Sequence, residues 1–134
     1  WMPSPSIMAR SSAYSSANKD IADFMPAGES ANFARITGGK IADLVENQIR
    51  SSGYVIHTLE AAIWCCLTTS SFKDAVLKAV NLGEDTDTVG AVAGGLAGTY
   101  YGVDAILSEW IAALAKLDGL KESCDKLAKL SSSE

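Results

Sequence analysis

Residues 83–102 constrain this chain more than any other stretch. Gly83-Glu84-Asp85-Thr86-Asp87-Thr88 crowds oxygen-bearing side chains together, and Val89-Gly90-Ala91-Val92-Ala93-Gly94-Gly95-Leu96-Ala97-Gly98-Thr99-Tyr100-Tyr101-Gly102 follows without a break. A glycine inside a helix costs roughly 1 kcal/mol against alanine. A helix with several of them needs another helix or a ligand to approach closely. Gly90, Gly94 and Gly98 recur every four residues, so they share one helix face. The reading is a close-packed core helix with a cluster of hard oxygen donors at its start. Residues 89–103 carry no charge, yet they fall short of the roughly 20 apolar residues that a membrane span requires.

The 134 residues suit one domain. With 48% hydrophobic and 20% charged residues, the composition is that of a globular protein. The net charge of −5 lies wholly in residues 51–134, because residues 1–50 balance. An acidic domain without a basic stripe is a poor partner for nucleic acid, whose phosphates need Lys and Arg. No membrane partner is expected either. Cys65, Cys66 and Cys124 have neither C-x-x-C spacing nor the look of a disulfide framework. They read as buried small apolar residues in a reducing, cytoplasmic setting. No signal peptide stands at the start, and Trp1 is no initiator, so the chain reads as beginning inside a longer protein.

Residues 1–39 form an irregular segment containing Ser and Pro, with one weak helix whose face would be Ala13, Ala17, Ile21 and Phe24. Gly38-Gly39 marks a boundary. Residues 40–134 have helical periodicity. Ile41, Leu44, Val45 and Ile49 predict a helix that Ser51-Ser52-Gly53 stops. Leu59, Ile63 and Leu67 predict a second, with Thr58 as its N-cap. Phe72, Ala75, Val76, Ala79 and Val80 give a third apolar face, ended by Gly83. Ile106, Leu107, Trp110, Ile111 and Leu114 follow the glycine-rich helix. Gly119 separates a last helix carrying Leu120, Cys124 and Leu127. The fold class is all-α, with about six helices of ordinary length.

Asp85, Asp87 and Thr88 can converge on one point, and such oxygens suit a hard cation. Free N–H groups at a helix start keep both carboxyls ionised, but the same positive end repels a bare cation. A metal therefore needs further carboxylates. Asp and Thr are also favoured N-caps, and on spacing alone capping and metal binding are evenly matched. An EF-hand fails, because its fifth and twelfth positions counted from Asp85 would be Val89 and Leu96.

Gly83, Asp85-Thr86-Asp87-Thr88 and Tyr100-Tyr101-Gly102 resemble the C-terminal metal motif of the ADP-ribosylglycohydrolase family, which includes dinitrogenase reductase-activating glycohydrolase. Asn81-Leu82 fits its lead-in. Ser52-Gly53-Tyr54-Val55-Ile56-His57-Thr58-Leu59-Glu60-Ala61-Ala62-Ile63-Trp64 is similar to a second family segment. The resemblance covers residues 52–102, while residues 1–39 carry little of it. It implies a compact all-α fold and a two-Mg²⁺ centre, with Mn²⁺ in some members. It also implies hydrolysis that frees ADP-ribose from modified protein side chains or small ADP-ribosyl compounds. Asp85, Asp87 and Thr88 are similar to the family's C-terminal metal ligands. Ser52, Gly53 and Tyr54 resemble a segment lining the ADP-ribose cleft, where Tyr54 would pack on a ring.

Two departures stand out. Glu84 occupies a position where many members have Gly. The T-D-D-T-type motif of the family's N-terminal half is absent. The chain thus resembles the C-terminal part of such a protein. It would supply three ligands and depend on the N-terminal half, or another chain, for the rest. Such a part should leave its small-residue face bare and associate through it. No residue is assigned a catalytic role apart from the metal ligands. His57 reads as a capping or packing residue, and Glu60 as partnered by a charge or by the helix start. A non-catalytic scaffold or an ADP-ribose-binding module of the same fold is the alternative.

Overall fold

The computed structural model describes residues 5–22, 28 and 31–131. Among them are seven α-helices, three 3-10 turns and no strand, as an all-α fold requires. The helices are α1 (Pro5–Ala22), α2 (Ala34–Thr37), α3 (Val55–Thr68), α4 (Phe72–Val80), α5 (Thr86–Tyr101), α6 (Ser108–Ala112) and α7 (Leu117–Ser131). No helix among the described residues is long and apolar enough to cross a membrane.

Helices α3, α4 and α5 make the centre. Val89, Ala93 and Ala97 of α5 are buried at four-residue spacing. Val89 and Ala93 join Ala61, Ala62 and Cys65 of α3 in one apolar cluster. The helices lie close enough for the Cys66 thiol to meet the Ala93 carbonyl at 3.6 Å. The glycine face turns to α4. A Cβ on Gly90 would lie 2.8 Å from Val80 Cγ1, so glycine is a steric requirement there. At Gly94 and Gly98 the nearest atoms, on Val76 and Phe72, stand at an ordinary 3.8 Å. The small-residue face expected to be bare is thus covered from within the chain. The side of α5 left open carries Gly95, Leu96, Thr99 and Tyr100.

Helix α4 starts on a true cap: Ser71 Oγ accepts from the Asp74 N–H at 3.0 Å. Helix α3 does not. Its N-cap position is Tyr54, and Thr58 is a buried residue one turn inside. Thr58 Oγ1 instead donates back to the Ser52 carbonyl at 3.3 Å.

The helix expected over Ile41–Ile49 is replaced by two 3-10 turns, Ile41–Asp43 and Glu46–Gln48, with Leu44 and Val45 extended between them. Distant side chains claim the backbone groups that a helical ladder would use. Trp64 Nε1 donates to the Leu44 carbonyl at 2.9 Å, and Arg35 Nη2 to the Gln48 carbonyl at 2.7 Å. The weak first helix is 18 residues long, but Ala13 and Ala17 are exposed. Phe24 and the side chain of Ile21 lie outside the described residues. The inward positions are Arg10, Tyr14 and Asn18, all tied down by hydrogen bonds, with Tyr14 also packed against the apolar cluster. Tyr14 Oη and Asn18 Nδ2 both donate to the Ile36 carbonyl, the latter at 3.2 Å. Gly119 does not separate elements, since α7 runs through it. Cys124 is exposed, against expectation, while Cys65 and Cys66 are buried.

Candidate functional site

The two motif segments meet in space. The Asp85 N–H donates to the Ser51 carbonyl at 3.1 Å, and Ser51 Oγ donates to the Gly83 carbonyl at 3.0 Å. Ser51 is buried, so these bonds are shielded from competing water. They pin the loop before α5 to the loop before α3. Gly53 completes the contact. A Cβ there would sit 2.6 Å from Asp85 Oδ2, so a larger residue would have to turn that carboxylate aside.

Asp85 takes the N-cap position of α5, yet its side chain makes no capping bond. Capping therefore does not account for that carboxylate. Asp87 stands in the first helical turn, exposed, and its Oδ1 accepts from the Thr88 N–H at 3.0 Å. The Asp85 carboxyl lies within hydrogen-bonding reach of it. That contact, followed by the backbone N–H groups of Thr88 and of Asp87 itself, holds the Asp87 carboxyl below the usual carboxylate range. Glu84, next to the pair, is exposed with φ at +56°, a left-handed conformation that strains any residue with a side chain. A glycine at this position, frequent in the family resembled, relieves that strain.

Of the segment Ser52-Gly53-Tyr54, Gly53 borders one cavity and Tyr54 another, while Ser52 lines neither. An apolar one of about 310 Å³ is lined by Gly53, Val55, Thr58, Leu59, Thr88 and Val92. A polar one of about 230 Å³ is lined by residues that include Arg35, Arg50, Tyr54, His57 and Glu60. Ser52 Oγ lies 2.7 Å from His57 Nδ1, and the Tyr54 and His57 rings meet edge to face at 5.1 Å. The expectation that Glu60 is charge-partnered holds: buried Glu60 pairs with Arg35 at 2.8 Å. Arg35 and Arg50 were missed from the sequence. They flank irregular backbone, where no periodicity says which way a side chain points.

The Asp85 and Asp87 carboxyls are brought together, and Thr88 meets Asp87 through its backbone N–H. All three donors are hard, as Mg²⁺ or Mn²⁺ prefers, and two adjacent carboxylates favour a cation between them. Among the described residues no cluster of three or more His, Cys, Asp or Glu side chains forms. The donor set thus fits part of a cation's coordination sphere.

Comparison with known proteins is decisive at this point. The chain matches the ADP-ribosylglycohydrolase family over residues 6–134. It belongs to that family. The match takes in most of the first 39 residues, where the motifs alone gave little sign of it. Among relatives, an ADP-ribosylarginine hydrolase, Tri1, of Pseudomonas putida (strain GB-1) is 48% identical over 80 residues, covering 60% of this chain and 22% of that protein. The ADP-ribosyl-[dinitrogen reductase] glycohydrolase of Rhodospirillum rubrum is 45% identical over 69 residues, covering 52% of this chain and 22% of that protein. Human ADP-ribosylhydrolase ARH3 is 29% identical over 94 residues, covering 62% of this chain and 25% of that protein. The chain therefore spans about a quarter of the length of these relatives.

Proposed function

We propose that this chain is the part of a cytoplasmic ADP-ribosyl hydrolase that supplies Asp85, Asp87 and Thr88 to a two-Mg²⁺ centre, with Mn²⁺ as the other candidate. The observation that carries the reading is the Gly53–Asp85 contact. The bare backbone of Gly53 leaves the Asp85 carboxylate, which performs no capping, lying against the loop of the other motif. The Pseudomonas putida relative, called an ADP-ribosylarginine hydrolase, directs the substrate reading to ADP-ribosylated arginine side chains.

The chain's own residues have separable tasks. Ser51 fixes the Asp85 backbone, and Gly53 fixes the place of its carboxylate. Asp87 stays ionised at neutral pH and offers charge beside it. With Arg35 paired to Glu60, Arg50 leaves the cavity that Tyr54 shares with one positive charge in surplus, which suits a phosphate group. The edge-to-face Tyr54–His57 pair presents ring surface suited to a base or a ribose. Divalent cations bound at the carboxylates would supply Lewis-acid polarisation of water and of ribose hydroxyls. The remaining ligands would come from the rest of the family domain or from another chain. Such a partner would seat on the open side of α5, where Leu96 and Tyr100 are exposed.

The test uses Mn²⁺ as a paramagnetic probe of this chain in nuclear magnetic resonance. Broadening should centre on the amides of residues 85–88 and of Gly53. Gly53→Ala should weaken the effect by roughly tenfold, the order expected when support around a ligand is lost. Broadening that follows the acidic residues of α7 instead, or that Gly53→Ala leaves unchanged, would sink the reading.

A further inference from the structure

Arg10 is only 6% exposed, and no carboxylate among the described residues pairs with it. Its Nη1 donates to Tyr101 Oη at 2.5 Å, and its Nη2 donates to the Thr69 carbonyl. Its Nε–H is buried with no hydrogen-bond partner, the one such side-chain atom among the described residues. A buried cation without a counter-charge is costly, and an unmet donor adds to the cost. The faces of Tyr100 and Tyr101, with centroids 5.2 and 5.4 Å from the guanidinium carbon, recover part of it. They supply no net negative charge.

The same guanidinium lines a cavity of about 170 Å³ between α1, α3 and α5. Tyr14, Cys66, Leu96, Tyr100 and Tyr101 share its walls, which are mostly apolar. We propose that this cavity is a binding site for a small carboxylate with an apolar or aromatic body, with Arg10 as its counter-ion. The apolar walls and the tyrosine rings would take the body of the ligand. The carboxylate would pair with the guanidinium from the cavity side, where a planar fork suits a planar acid. The site uses none of Asp85, Asp87 or Thr88, and stands whether or not the hydrolase reading does. The field of Arg10 already reaches this cavity's walls: burial raises the Cys66 thiol and the Tyr101 phenol, and Arg10 opposes both shifts.

The experiment titrates benzoate into the full chain while following the Arg10 Nε–H resonance and, in every variant, the backbone amide of Cys66. Neutral, isosteric benzamide is the control. A saturable shift with benzoate and none with benzamide is the expected result. Arg10→Lys keeps the charge but loses the fork, and should weaken benzoate roughly tenfold. The contrast between benzoate and benzamide is read on the unaltered chain, which keeps the test open if the Arg10 variant fails to fold. Equal responses to benzoate and benzamide, or none to either, overturn the site. A shift that follows protein concentration rather than benzoate also overturns it, because a second copy is then supplying the acid.

Discussion

Helices α5 and α7 have nearly the same length, 16 and 15 residues, yet they contribute to the fold in opposite ways. In α7 charged and apolar residues alternate with clear helical period, and every residue from 118 to 130 is exposed. Leu127 and Leu130 are each about 70% exposed. In α5 there is hardly any such pattern, and it is the helix on which α3 and α4 converge. The difference teaches that an apolar stripe does not by itself bury a helix. Small residues let α5 approach α3 and α4 on two faces at once, and close approach multiplies dispersion contacts. The stripe of α7 meets no comparable surface.

The sharpest way to break that comparison is to enlarge a small residue in α5. Ala93 is fully buried, and Ala93→Leu should cost about 1–3 kcal/mol or more through overpacking, read as a fall in the urea midpoint. An unchanged midpoint would mean that α5 is not the packed centre.

The cysteines sharpen the same contrast. Burial pushes the Cys65 thiol from its ordinary 9.0 to about 12, and that of Cys66 to about 11. The folded state therefore keeps protons that the unfolded chain releases above its ordinary thiol pKa. The stability these two thiols contribute is whole below about pH 9 and is lost as pH rises through about 11 and 12. A Cys65→Ala, Cys66→Ala double variant should lose less stability over that alkaline range. At neutral pH iodoacetamide should label Cys124 on α7 and spare the other two until urea unfolds the chain. Equal labelling of all three in the native protein would contradict the packing of α3 against α5.

Smaller effects follow at the glycines. Gly95 faces open space, so Gly95→Ala should stabilise by about 1 kcal/mol from helix propensity alone. Gly90→Ala has the same propensity gain, but its Cβ meets Val80, and it should show no such benefit. Two equal gains in the unfolding midpoint would remove the steric argument for Gly90. The smallest effect belongs to α7: Leu127→Ala should stay within about 0.5 kcal/mol of the parent in the same unfolding measurement.

The all-α class, the core helix over residues 86–101 and the oxygen cluster at its start were legible in the sequence. Motif and composition express those directly. The helix expected over Ile41–Ile49 was not, because Trp64 and Arg35 draw the Leu44 and Gln48 carbonyls out of any ladder. Periodicity reports where apolar side chains recur. It says nothing of a distant donor competing for the backbone. The inward face of α1 was misread for a related reason. It is held by Arg10, Tyr14 and Asn18, polar residues that an apolar-face search passes over.

The sequence by itself determined which residues could serve chemistry: two aspartates, a threonine, and a Ser-Gly-Tyr segment, each carried by a motif. Their meeting was decided only by tertiary structure. Ser51 and Gly53 stand some thirty residues before Asp85, and nothing local announces that the Ser51 carbonyl accepts the Asp85 N–H while the Asp85 carboxylate lies against Gly53. The physical reason is that motifs record local chemistry, whereas a close approach between two loops is fixed by how α3 and α5 pack beneath them. The solitary guanidinium of Arg10 is of the same kind. The sequence shows an arginine among serines, and only the fold shows that it is buried with no acid pairing it among the described residues.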